Sequence, residues 1–221
     1  MTKFKWSLLV LITLVFSFPI LAVPEKSSEN PDQLIFSYSD FYSHLRKLDT
    51  EELDALQFAF GFAQHQSKKP CAIKNVFIHT QKQDIPVTVD TLQRFTLPKE
   101  KALKLANATV NVQFSPNQGD CDMSVLILAK PNWETQISSE QLNKIDGQFR
   151  TFFKEVGSFL SFLMPETKGI QLHYDMASSV PNLNNATKQD KRLLLSKDWL
   201  GANTEAVELT PGFEYISAWV D

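Results

Sequence analysis

Residues 56–63 read LQFAFGFA. Leu56, Phe58, Phe60 and Phe62 alternate with Gln57, Ala59, Gly61 and Ala63, a period of two that fits a β-strand. One face of this strand is bulky and requires a core. The other is nearly flat and lets another segment come close to the backbone. A polar turn, QHQSKKP (64–70), follows, and CAIKNVFIHT (71–80) returns as a second strand. Upstream, SYSDFYSHLRKL (37–48) carries Phe41, Leu45 and Leu48 at helical spacing, with Ser37 or Ser39 as the cap. Asp49 and Glu52 have the spacing of a capping box for a further short turn.

The same order recurs downstream. After a short strand, IPVTVD (85–90), the stretch TLPKEKALKLANA (96–108) reads as a helix. Pro98 suits its first position, Ala102, Leu103 and Ala106 face inward, and Asn107 ends it. TVNVQF (109–114) alternates as a strand, SPNQGD (115–120) turns, and CDMSVLILA (121–129) returns. Each passage therefore reads helix, strand, turn, cysteine, strand, which suggests a duplicated helix–hairpin unit with a period of 50 residues. Equivalent positions of such a pair can meet, which would place Cys71 beside Cys121.

Ser138 and Gln141 then open the clearest helix, 139–163, closed by Pro165. Its apolar stripe runs from Leu142 and Ile145 through Phe149, Phe152 and Phe153 to Phe159 and Leu163. Most of this stripe is expected to be core. Phe152, Phe159 and Phe162, the last of them off the stripe, are a candidate apolar binding surface. GIQLHYD (169–175) is a strand, SSVPNLNNATKQDK (178–191) a polar loop, and RLLLSKDWLG (192–201) fits either helix or strand. EAVELT (205–210) and FEYISAWV (213–220) are expected to form a closing hairpin.

The N-terminus sets the compartment. Lys3 and Lys5 precede an apolar run, Trp6–Ala22, which reads as a secretory signal peptide, residues 1–22, cut after Ala22. Residues 23–33 are polar and read as a flexible leader. Residues 34–221 are expected to form a single α+β domain, or two lobes at about 34–135 and 136–221. Cleavage removes two lysines, so 22 basic residues against 25 acidic become 20 against 25, a net charge of −5. A mildly acidic chain without a basic cluster is a poor partner for nucleic acid. No apolar run long enough for a membrane span follows the signal, so the mature chain is not expected to be integral to the membrane. An even pair of cysteines in an oxidising compartment favours one disulfide, Cys71–Cys121, as a staple rather than a redox centre.

Chemistry-bearing motifs are sparse. There is no GxSxG elbow, phosphate loop, dinucleotide fingerprint or HExxH helix. His44, His65, His79 and His173 have no metal-binding spacing. His173 and Asp175 fall on one strand face, but two ligands do not make a site. The sequence gives no reason to propose a catalytic residue, a cofactor or a metal.

The segments FSYSDFYSHLRKL, PCAI, RFTLPKEKALKLANATV, CDMSV and MPETKGIQL, in that order, resemble a family of uncharacterised exported proteins of marine and enteric gamma-proteobacteria, a domain of unknown function. The likeness spans most of residues 36–175. It implies a periplasmic setting and supplies no activity.

The expected fold is therefore α+β. An antiparallel sheet built from β-hairpins carries helices packed on one face. The expected function is a non-catalytic periplasmic binding or interaction module, its partner an envelope protein or a small apolar ligand. An envelope hydrolase assembled from distant carboxylates or histidines is the second reading, and thiol–disulfide exchange the third.

Overall fold

The computed structural model describes residues 32–116, 120–156 and 166–220. The expected signal peptide, residues 1–22, and nearly all of the expected leader lie outside these residues. Pro31–Asp221 form one compact unit. In chain order the elements are β1 (Gln33–Ser37), α1 (Tyr38–Leu45), β2 (Leu56–Gln64), β3 (Ile73–His79), β4 (Asp84–Val87), β5 (Arg94–Phe95), α2 (Lys101–Leu105), β6 (Thr109–Phe114) and β7 (Cys121–Ala129). They continue with β8 (Gln136–Ile137), α3 (Ser139–Val156), β9 (Thr167–Tyr174), β10 (Thr187–Gln189), β11 (Arg192–Ser196), α4 (Lys197–Ala202), β12 (Val207–Glu208) and β13 (Phe213–Val220).

The fold is α+β, and its strand pairs are antiparallel. One sheet has the order β1-β6-β3-β4, and a larger one has the order β10-β11-β9-β13-β7-β2-β5. A short pair, β8 with β12, stands apart. The larger sheet draws strands from both sides of residue 135.

The expected hairpins are not the ones that form. β2 pairs with β7 over its whole length, from Leu56↔Ala129 to Gln64↔Cys121. β3 pairs with β6, from Ile73↔Phe114 to His79↔Thr109. Each helix–strand–strand unit thus gives its first strand to the second strand of the other. A local hairpin does begin: Lys68 adopts φ +57 in the turn, Ala63 bridges Pro70, and the Cys71 N–H donates to the Phe62 carbonyl at 2.9 Å. It stops there, and the chain passes to the smaller sheet. The cysteines sit where the chain crosses between sheets, Cys71 on the way out of the larger sheet and Cys121 on the way back. They are joined by a disulfide.

Three further expectations change. β1 is a strand that the polar composition conceals, and its first residue, Gln33, falls in the segment that reads as leader. The closing hairpin is not made, because β12 pairs with β8 while β13 inserts between β9 and β7. The ambiguous segment 192–201 is both things, strand β11 running into helix α4.

Helix ends follow their local chemistry. The Gln141 N–H donates to Ser138 Oγ at 3.1 Å, and the Ser138 N–H donates to Gln141 Oε1 at 3.0 Å, a complete capping box. Ser37 caps α1 by accepting from the Ser39 N–H. At the end of α2, Asn107 takes φ +50, while its N–H reaches the Lys104 carbonyl and that of Ala108 reaches Leu103. This is the left-handed stop for which asparagine is suited. Asp49 and Glu52 form no box: Thr50 is the cap of the 3-10 turn at 51–53, and Asp49 pairs with Lys99 instead.

The bulky face of β2 is the spine of the core. Phe62 meets Phe36 of β1 and Phe114 of β6, Phe60 meets Phe41 of α1, and Phe58 meets Phe152 of α3. The helices therefore lie on one face of the larger sheet. Among the described residues its other face carries no helix, and there the flat side of β2 looks outward.

Candidate functional site

The flat side of β2 takes the close neighbour it allows. Gly61 lies opposite Arg94 of β5. A Cβ on Gly61 would stand 3.1 Å from the Gln93 carbonyl oxygen and 3.6 Å from the Arg94 side chain. The absence of side-chain bulk lets Arg94 lie along the sheet. Asp90 fixes the turn that delivers it: one carboxylate oxygen accepts the Leu92 and Arg94 N–H groups at 2.9 and 2.8 Å, and the other accepts Arg94 Nε at 3.1 Å. Gln93, at φ +61, is held by accepting the Ile73 N–H at 2.6 Å.

The guanidinium of Arg94 lies 4.2 Å over the ring of Tyr215 in β13. The His173 ring of β9 stacks on the same ring, 4.1 Å between centroids and 15° between planes. His173 Nε2 and Ser217 Oγ are 2.9 Å apart, and Gln171 donates to Ser217 Oγ at 3.0 Å while accepting from Arg192 at 3.3 Å. A polar and aromatic ladder thus crosses the outward face from β11 to β5.

Beside it opens a cleft of about 320 Å³. Ala59 and Leu128 form its floor, and Trp133, Gln57, Glu214 and Tyr215 are among its walls. Neighbours on a strand normally face opposite sides. Glu214 and Tyr215 both reach this cleft because β13 bulges: Phe213 pairs with Tyr174 and Tyr215 with His173, leaving Glu214 as the extra residue. Arg94 is nearly covered, its side chain 11% exposed, and its charge is met by Asp90. Glu214 makes no ion pair among the described residues, and burial raises its carboxyl above the ordinary range. Burial likewise raises the Tyr215 phenol, so it stays protonated at neutral pH.

A larger depression of about 590 Å³ lies between loop residues 182–185 and α4. Much of its lining comes from that loop and from the chain that follows α4. Side chains held by strands are better fixed for recognition, and the β2–β13 cleft is therefore the candidate site.

The residues singled out in the sequence are dispersed. Phe152 is 4% exposed against Phe58 and Phe153, so it belongs to the core and not to a binding surface. Its place on the helix stripe turns it toward β2. Phe159 and Phe162 lie outside the described residues. Cys71 is fully buried in its disulfide. His173 and Asp175 do not act together: Asp175 accepts the Ala177 and Ser178 N–H groups of a turn, whereas His173 stacks on Tyr215. His65 pairs with Asp122 and His79 with Asp84 in solvent. Among the described residues no cluster of three metal-ligating side chains forms, and no helix is long and apolar enough to cross a membrane. Arg94, Trp133, Glu214 and Tyr215 were not legible as a site. The one local signal was the flat strand face, which showed that a neighbour would come close but not which one.

Burial lowers the His173 pKa from 6.5 to about 4, helped by Arg192 and Arg94. The folded state then holds the imidazole neutral while the unfolded chain still binds a proton. Stability is therefore expected to be intact above pH 6.5 and to fall as the pH drops toward 4. The loss should reach about 2–3 kcal/mol, discounted for partial exposure. Urea titrations across that range on the parent and His173→Gln check this. The stability of the parent relative to the variant should fall toward acid by that amount, and a difference that stays constant with pH would refute the neutral, half-buried histidine.

The fold and site together define a class: an α+β domain whose two helix–strand–strand units exchange strands, are tied by one disulfide, and carry a cleft floored by strands on the sheet face opposite the helices. The family described as "Protein of unknown function (DUF2987)" matches residues 31–174, and the chain belongs to it. The match covers β1 through β9, with Glu214 and Tyr215 beyond it. No curated protein and no solved structure matches the chain.

Proposed function

We propose that the protein is a non-catalytic binding module exported to the periplasm, and that it binds its ligand in the β2–β13 cleft. The observation that carries this reading is the pre-built cleft. Its floor and most of its lining are set by strands, a bulge turns Glu214 into it, and the Arg94–Tyr215–His173 stack holds one side rigid. Preorganised polar groups converging on a concave surface are what recognition needs. Export is supported by the charged and apolar N-terminus and by the disulfide.

A hydrolase built on paired carboxylates would draw on Glu214 and Asp90. Both Asp90 oxygens are engaged by Leu92 and Arg94, which makes Asp90 a positioning group and leaves one unengaged carboxylate. Thiol exchange needs an attackable sulfur, and full burial of Cys71 favours the staple.

The test is native mass spectrometry of protein released gently from the periplasm. The expected result is loss of residues 1–22, together with a bound species that is absent from Gln57→Trp, a substitution that fills the cleft. Retention of the same species by Gln57→Trp would place binding elsewhere and overturn the assignment.

A further inference from the structure

We infer that the cleft takes a neutral, hydroxyl-rich ring, a saccharide unit, with Trp133 as its stacking wall. This rests on the reading of the cleft as a binding site and names the ligand class. Charge is the first consideration. Arg94 is compensated by Asp90, and Glu214 is the carboxylate left without an ion pair among the described residues, so an anionic ligand would meet net repulsion. A cationic ligand would want an aromatic cage around it. Tyr215 does not offer its ring for that purpose, because Arg94 and His173 already stack on it. Trp133 is different. It is half-buried, its ring contact is edge-on to Phe213 at 5.8 Å, and it lines the cleft.

Hydrogen-bonding capacity points the same way. A sugar hydroxyl donates and accepts at once, so its site needs groups of both kinds close together. Glu214 accepts, the Tyr215 hydroxyl can donate, and Gln57 and Thr96 do both. A ligand recognised by charge would call for one sign throughout. The apolar floor of Ala59 and Leu128, with Trp133 beside it, suits the C–H face of a pyranose ring. At about 320 Å³ the cleft is at the small end of ligand pockets, with room for about one or two rings.

The experiment follows indole and backbone N–H signals of the exported protein by ¹H–¹⁵N NMR. Maltose, cellobiose and chitobiose are each titrated to about 10 mM, well above the about 1 mM Kd of a weak specific complex. Choline and inorganic phosphate serve as the cationic and anionic alternatives. The expected result is a saturable shift of the Trp133 indole with at least one disaccharide, while the Trp199 and Trp219 indoles stay in place. Trp133→Leu and Glu214→Gln should each weaken binding about tenfold, and the undisturbed Trp199 and Trp219 signals report that each variant is folded. A longer oligomer of the same sugar separates the two sources: equal affinity assigns a free small saccharide, and rising affinity assigns a glycan chain. If choline or phosphate moves Trp133 and no sugar does, the saccharide assignment falls while the cleft stands. If no probe moves Trp133 and the native protein carries nothing, both fall.

Discussion

Replacing Cys71 and Cys121 together by alanine is expected to lower the midpoint of thermal unfolding by about 8–16 °C. The estimate starts from the loop that the bond closes, with a sequence separation of 50. In the chain-entropy picture such a loop constrains the unfolded chain by about 4 kcal/mol. A domain of this size loses about 2–4 °C per kcal/mol. The fold gives a second reason for a large effect. The bond ties the two points where the chain passes between sheets, so it holds together the exchange of β2 and β6 between units. A reduced chain is free to complete the local hairpin that Ala63 and Pro70 begin, and that pairing competes with the native one. Either single substitution breaks the same bond, so Cys71→Ala, Cys121→Ala and the double variant should lose nearly equal stability. Differential scanning calorimetry on all three measures it. A double variant within about 2 °C of the parent would mean that the exchanged pairing holds without the staple.

Local features were legible because their causes are local. The alternation of LQFAFGFA identified β2, the Ser138–Gln141 spacing found the start of α3, and Asn107 marked the stop of α2. The pairing of strands was not legible, although the strands were. The polar turn at 64–70 has the composition of a hairpin turn and does reverse the chain. What diverts it is the competition for the edges of β2, one taken by β7 and the other by β5. That competition is settled by segments far apart in sequence. The cleft was hidden for the same reason. Gln57, Trp133 and Glu214 come from three distant strands and connections, and none lies in a recognisable motif. The bulge that turns Glu214 inward depends on the register of β13 against β9, which FEYISAWV alone does not encode. Arg94 is the instructive case: Gly61 showed that a neighbour would lie flat on β2, while the identity of that neighbour was fixed only by sheet order.

Truncating Phe60 to alanine should cost about 3–5 kcal/mol, the range for a fully buried phenylalanine whose surroundings relax only in part. Phe60 is fully buried and meets Phe41 of α1 edge-on at 4.9 Å, Phe95 of β5 at 5.9 Å and Phe58 at 6.2 Å. The cavity would open where α1, the larger sheet and its edge strand meet, and none of these can close on it without leaving the others. A total stability of about 5–15 kcal/mol makes this a large fraction. The cross-strand neighbour of Phe60 in β7 is Val125, which is 42% exposed. Val125→Ala on the same sheet face should cost less than about 1 kcal/mol, because little apolar surface is returned to water. Urea unfolding at constant slope gives both values. The ratio between the two substitutions is the informative quantity, since they share a register position and differ in burial. Similar costs for Phe60→Ala and Val125→Ala would refute the burial of Phe60 in a core that leaves Val125, on the same face, at its edge. A cost concentrated at Phe60 supports that placement, with Phe60 packed between α1 and β5 at the centre of the core.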